Sequence, residues 1–98
     1  MDEQTKREIL FEGAKEGNLA VVNEIIRKGA DVNVKSNEGW TALMGASVGG
    51  HTDAAKLLIE KGADVNVKAN EDVTALMSAS YKGHTDIVSL LRNAGARE

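Results

Sequence analysis

The chain has 98 residues, no cysteine, no proline and a formal net charge of -3 at neutral pH. That length fits one domain, the acidic balance argues against sequence-independent binding to nucleic acid or to an anionic membrane, and the lack of cysteine excludes disulfides and thiolate sites. No apolar run is as long as a membrane span and the polar start is unlike a secretion signal, so we expect a cytoplasmic protein.

Low aromatic content favours helices, because the chain has only one residue each of Phe, Trp and Tyr, fewer than an all-β fold normally uses. The first helix is predicted over residues 2–16. Its inward face holds Ile9, Leu10 and Ala14, which follow the helical period. Gly17 is expected to end it.

The second helix is predicted over residues 19–28. Asn18 precedes it and can cap it, since the side-chain oxygen accepts from backbone N–H groups at a helix start. Gly29 follows Lys28, which is a typical helix end. The apolar stripe of this helix consists of Val21, Val22, Ile25 and Ile26.

A seven-residue stretch, Gly-Ala-Asp-Val-Asn-Val-Lys, follows the second helix and then recurs. It occupies residues 29–35 and again 62–68, and it begins once more at Gly95, so each start lies 33 residues after the last. Such a period is typical of stacked repeat architectures. We therefore predict a single domain over residues 1–98, built from three units at about 2–35, 36–68 and 69–98.

The second and third units each contain a turn and two short helices. The helices are predicted at 42–48, 53–61, 75–82 and 86–94. The predicted N-caps are four threonines, Thr41, Thr52, Thr74 and Thr85.

The second and third units differ at many positions, and two of these differences bear on backbone strain and on capping of the stack. Asp72 stands where the second unit has Gly39, and we expect backbone strain there. Arg92 stands where the second unit has Ile59. A charge at that position suits a terminal unit whose outer side is not covered by a neighbour.

These residues resemble the ankyrin repeat over nearly the whole chain. The second unit reads Gly-Trp-Thr-Ala-Leu-Met-Gly-Ala at 39–46, Gly-His at 50–51 and Leu-Leu-Ile at 57–59 before Gly-Ala-Asp-Val-Asn. The third repeats Thr-Ala-Leu-Met at 74–77 and Gly-His at 83–84. The resemblance implies an all-α solenoid of stacked helix-turn-helix units with projecting β-turn or hairpin loops.

The sequence departs from the family pattern at two places in each of these units. Ala42 and Ala75 replace the usual proline, and Met44 and Met77 replace the usual histidine. Both changes predict softer turns, with the two methionines filling space beneath them.

The resemblance also implies a non-catalytic module that binds another protein through its concave face and turn tips, without a cofactor. Trp40 and Tyr81 are the expected anchors, since both residue types are common at interface hot spots. In the alternative interpretation Trp40 covers the adjacent turn, Tyr81 lies flat on its own unit, and the chain is a minimal or designed scaffold without a native partner. We expect a monomer rather than a homo-oligomer. The predicted contact residues are Lys35, Asn37, Glu38, Trp40, Val48, Lys68, Asn70, Glu71, Val73, Tyr81 and Lys82.

A hydrolytic set, Ser47, His51 and Asp53, recurs as Ser80, His84 and Asp86. Nucleophilic catalysis needs such residues in one hydrogen-bonded line beside an oxyanion hole. Two copies at the repeat period instead indicate scaffold roles, with both serines in the contact between helices. We therefore predict no enzymatic activity.

A metal site shared by the two histidines is excluded by distance. Equivalent positions in stacked helices lie about 8–10 Å apart, whereas zinc ligands lie about 2 Å from the ion. We expect no metal.

Overall fold

The computed structural model describes residues 1–97, within which six α-helices form three pairs. The pairs are α1 (Glu3–Glu16) with α2 (Leu19–Arg27), α3 (Ala42–Gly49) with α4 (Thr52–Glu60), and α5 (Ala75–Lys82) with α6 (Thr85–Asn93). Only two residues join the members of a pair, so the two helices pack antiparallel. No strand occurs in residues 1–97, which confirms the predicted all-α class.

Three of the predicted N-caps are confirmed by their hydrogen bonds. Asn18 Oδ1 accepts from the backbone N–H of Val21 at 3.1 Å. Thr41 Oγ1 and Thr74 Oγ1 accept from the third residue of their helices, at 3.4 and 3.1 Å. Each bond satisfies a donor that a helix start leaves open.

The predicted caps at Thr52 and Thr85 are wrong, because both residues are already helical. The caps of α4 and α6 are His51 and His84, and neither side chain bonds the helix that it precedes. Their rings contact the preceding unit instead, as described below. A side chain committed to a neighbouring unit is not free to cap its own helix.

At the start of α1, Asp2 caps the helix by accepting from the Thr5 N–H at 2.7 Å. Hydrogen bonds from the Thr5 backbone, and then from its side chain, hold the pKa of Asp2 below its ordinary value of 3.8. The carboxylate is the form that accepts these bonds, so the cap favours ionisation.

The helices stack in two layers with the apolar core between them. α1, α3 and α5 pack side by side in one layer, α2, α4 and α6 form the second, and the first layer is the more closely packed. Sealing a side chain such as Leu58 in this core contributes about 1.5–3 kcal/mol. The core side chains include Leu10, Val22, Ile25, Leu43, Met44, Ala46, Leu58, Ile87 and Leu91.

Asparagine side chains join successive units through the loops that follow α2 and α4. Asn33 Nδ2 donates to the Gly62 carbonyl at 3.1 Å, and its Oδ1 accepts from the Asp64 N–H at 2.7 Å. Asn66 makes the same two bonds one unit later, to Gly95 and Arg97, at 3.1 and 2.9 Å. The asparagine of the repeated stretch thus links successive units by hydrogen bonds, a role that was not predicted from the sequence.

Histidines join the units at the opposite end of the helices. His51 Nε2 lies 2.8 Å from the Lys15 carbonyl, and His84 Nε2 lies 3.2 Å from the Val48 carbonyl. A carbonyl only accepts, so in each pair the ring N–H is the donor. Because Lys15 and Val48 are 33 residues apart, the two bonds are copies of one inter-unit contact.

The projecting turns before α3 and α5 share one hydrogen-bond pattern but differ in strain. In the second unit the Ser36 N–H donates to the Trp40 carbonyl at 2.9 Å, and Gly39 takes a φ of 81°. In the third, both Glu71 (φ 64°) and Asp72 (φ 63°) adopt the left-handed region. The expected strain at Asp72 is therefore present and extends to the residue before it.

Candidate partner-binding groove

A shallow apolar groove of about 290 Å³ lies across the second and third units. We call it the aromatic groove, after its two aromatic side chains. Trp40 and Val73 enter it from the residues just before the helix caps, and Val48 and Tyr81 enter it from late positions on α3 and α5. Its lining consists of Trp40, Val48, Val73, Met77, Ser78, Tyr81 and Lys82.

The two aromatic residues are held differently. The ring of Tyr81 is 88% exposed, which contradicts the alternative that it lies flat on its own unit. Trp40 is half-buried, and its backbone N–H donates to Ser36 Oγ at 3.1 Å. Trp40 is therefore a fixed wall of the groove, while Tyr81 stands out from α5 with its surface open to solvent.

Of the predicted contact residues, the structure gathers five in this groove and leaves six on the turns. Lys68 lines a separate notch of about 190 Å³ beside Asp72 and Arg97. The two turns are tied together by the Asn70 N–H, which donates to the Glu38 carbonyl at 2.9 Å. The six residues on the turns are all exposed and are Lys35, Asn37, Glu38, Lys68, Asn70 and Glu71.

The sequence analysis missed Met77 as a surface residue. It was predicted to fill space under a turn, as Met44 does at 1% exposure, yet Met77 is 49% exposed and lines the groove. The reason is positional: α3, which carries Met44, packs between α1 and α5, whereas α5, which carries Met77, has a neighbour of its own layer on one side only within residues 1–97. Arg92 suits a unit whose outer side has no neighbour, and the same consideration predicts that Met77 is exposed.

The two serine–histidine sets are not arranged for catalysis. Ser47 is fully buried and its hydroxyl donates to the Leu43 carbonyl at 2.7 Å, while His51 faces Lys15. Ser80 is exposed, so its predicted place in a contact between helices is wrong. It lies on the outer side of the third unit, where residues 1–97 supply no neighbouring helix.

Residues 1–97 contain no group of three histidine, aspartate or glutamate side chains that could hold a metal ion. No helix in that part of the chain is long and apolar enough to cross a bilayer.

Comparison with known proteins agrees with this architecture. A family model described as ankyrin repeats, three copies, matches residues 10–97. The chain is 39% identical over 49 residues to human mitochondrial disaggregase, covering 50% of this chain and 7% of that protein. It is 41% identical over 44 residues to the Notch-regulated ankyrin repeat-containing protein A of Danio rerio, covering 45% of this chain and 39% of that protein. The matched segments therefore span well under half of these curated relatives.

Proposed function

Since the chain belongs to the ankyrin repeat family, we propose that it binds another protein through the aromatic groove and the turns beside it. Members of this family are generally non-enzymatic interaction modules. The observation that carries the proposal is Tyr81, a large aromatic ring that is 88% exposed beside an apolar groove.

Trp40 and Val73 are half-buried and pack against the core on one side, whereas Met77, Tyr81 and Lys82 are exposed. The open side of the groove is therefore available to a partner. Trp and Tyr are enriched among interface hot spots, where truncation to alanine costs about 2 kcal/mol or more, on the order of a thirtyfold change in affinity. We therefore assign the anchoring role to Trp40 and Tyr81.

The charged residues around the groove indicate which charges a partner would carry. Lys82 lies at its edge, and the neighbouring turns carry Lys35 and Lys68 together with Glu38 and Glu71. With both signs present, these turns favour a partner of mixed charge that places an apolar side chain in the groove. Rim charges of this kind act more on association rate and specificity than on affinity.

The test is quantitative affinity capture with the immobilised full chain. We compare wild type, the double variant Trp40→Ala/Tyr81→Ala and the control Leu19→Ala, which trims an apolar side chain that is 41% exposed outside the groove. Circular dichroism confirms that each bait is folded. A partner bound by wild type and Leu19→Ala but lost at least tenfold from the double variant is the expected result.

Equal recovery of every partner by all three baits would contradict the proposed anchors. Capture of nothing above background would favour the alternative, a minimal or designed scaffold without a native partner.

A further inference from the structure

The aromatic groove is built by two units and exists only while the third is packed on the second. Trp40 and Val48 belong to the second unit, and the other five lining residues belong to the third. The two units meet where α5 packs beside α3 and α6 packs beside α4. Separation of these helices would divide the groove into two halves. Its availability to a partner therefore depends on the stability of this contact.

The turn that precedes α5 is part of the same contact. The Asn70 N–H donates to the Glu38 carbonyl of the preceding turn at 2.9 Å. A Cβ built on Gly39 would lie 3.1 Å from Ala69 Cα, so the two turns touch at the backbone. The third unit is thus packed on the second only when its turn is closed in this conformation.

Closing the turn places two residues of the third unit in an unfavourable conformation. Glu71 and Asp72 take φ values of 64° and 63°, whereas in the preceding turn only Gly39 is left-handed. The hydrogen bonds are alike, since the Asp72 N–H donates to Ala69 at 3.0 Å and the Gly39 N–H to Ser36 at 2.9 Å. Each left-handed residue other than glycine disfavours the closed turn by about fivefold or more.

The strain lies outside the surface that a partner would contact. Asp72 does not line the groove, and it is not one of the predicted contact residues. Replacing it with glycine would relieve strain in the third unit and leave the groove side chains unchanged. Stability of the contact and chemistry of the groove can therefore be varied separately.

We propose that the third unit acts as a gate for the aromatic groove. Residues 69–97 open together from a stack whose first two units stay folded, and a protein in the groove holds them closed. Units of a repeat stack contact only their neighbours, so one unit can open by itself. The effect on a partner rests on the proposed function, whereas the opening does not. Affinity would fall with the fraction of chains that are closed.

The test is amide hydrogen exchange of the full chain without a partner, read by mass spectrometry. In wild type, the amides of α5 and α6 should exchange faster than those of α3, because opening of the third unit exposes them first. Asp72→Gly should slow exchange in α5 and α6 by about fivefold, since it removes one strained residue from the closed state.

A matched pair of variants distinguishes opening of one unit from unfolding of the whole chain. Asn66→Ala removes two bonds from the second unit to the third, and Asn33→Ala removes the same two bonds from the first unit to the second. Asn66→Ala should speed exchange in α5 and α6 by about fivefold or more. Asn33→Ala should leave that exchange unchanged, because the contact it weakens stays closed when the third unit opens.

The proposal is overturned if α5 and α6 are as protected as α3, or if both asparagine variants speed their exchange alike. Should Asn66→Ala fail to fold, Asp72→Gly and Asn33→Ala decide: slowing by the first with no change in the second supports the gate. These results do not depend on capturing a partner. A gated third unit in a chain that captures nothing would count against the proposed function alone.

Discussion

Replacing the glycine after α3 or after α5 with alanine separates backbone strain from packing between units. Gly50 and Gly83 end their helices at nearly the same φ, 74° and 75°. Both N–H groups bond the same pair of carbonyls in their own helix. The space beside the two glycines differs, since the His84 ring lies on Gly50 and nothing in residues 1–97 lies within 4 Å of a Cβ built on Gly83.

The magnitudes follow from that difference. An alanine in the left-handed region costs about 1–2 kcal/mol at either site. At Gly50 the new methyl would lie 2.7 Å from the His84 ring, so the ring must move and its 3.2 Å bond to the Val48 carbonyl is broken. Losing that bond adds about 0.5–1.5 kcal/mol before any loss of packing. Gly50→Ala should therefore destabilise the fold by about twice as much as Gly83→Ala.

Urea denaturation followed by circular dichroism measures both free energies of unfolding. A double-mutant cycle with His84→Ala gives the internal control, because removal of the ring should erase the extra cost of Gly50→Ala. Gly17→Ala is a second instance of the clash, with the His51 ring 2.5 Å from the built Cβ. The reasoning is refuted if Gly50→Ala and Gly83→Ala cost the same within about 0.5 kcal/mol.

Three further predictions concern strain, the asparagine contacts and the first helix cap. Asp72→Gly should stabilise the fold by about 1 kcal/mol in urea denaturation by relieving the left-handed conformation, and a loss of stability would contradict the strain argument. Asn33→Ala should cost about 1–3 kcal/mol because two hydrogen bonds between units are lost, whereas Asn37→Ala on an exposed turn tip should be nearly neutral. Asp2→Ala should lower helicity at neutral pH; because the folded pKa of Asp2 is depressed, the difference from wild type should shrink as pH falls below 3.8 and through that folded pKa. A pH-independent difference would rule out the carboxylate as the source of the cap.

The organisation into units and most helix limits could be predicted from local pattern. The predicted range 75–82 coincides with α5, and the other limits differ from the structure by one residue at each end where they differ. Such limits depend on caps and glycines within a few residues of the helix end, so a short stretch of sequence is enough to predict them. The misplaced caps at Thr52 and Thr85 were the exception, because the role of each preceding histidine is decided by a carbonyl one unit away.

The candidate site was only partly predictable. Trp40, Val48, Val73 and Tyr81 could be named because the resemblance to the ankyrin repeat implies that their positions contact partners, and the structure gathers them in one groove. The repeat period says nothing about exposure. The open ring of Tyr81 and the membership of Met77 emerged only from the packed chain.

Two pairs of identical residues show where local pattern stops being sufficient. Met44 and Met77 sit in the same Thr-Ala-Leu-Met segment, yet one is 1% and the other 49% exposed. Ser47 is likewise buried whereas Ser80 is exposed. Helix position, capping and repeat period are determined by neighbours along the chain. The two members of each pair therefore agree in all three. Burial follows from whether another unit packs on top, which is a property of the assembled stack.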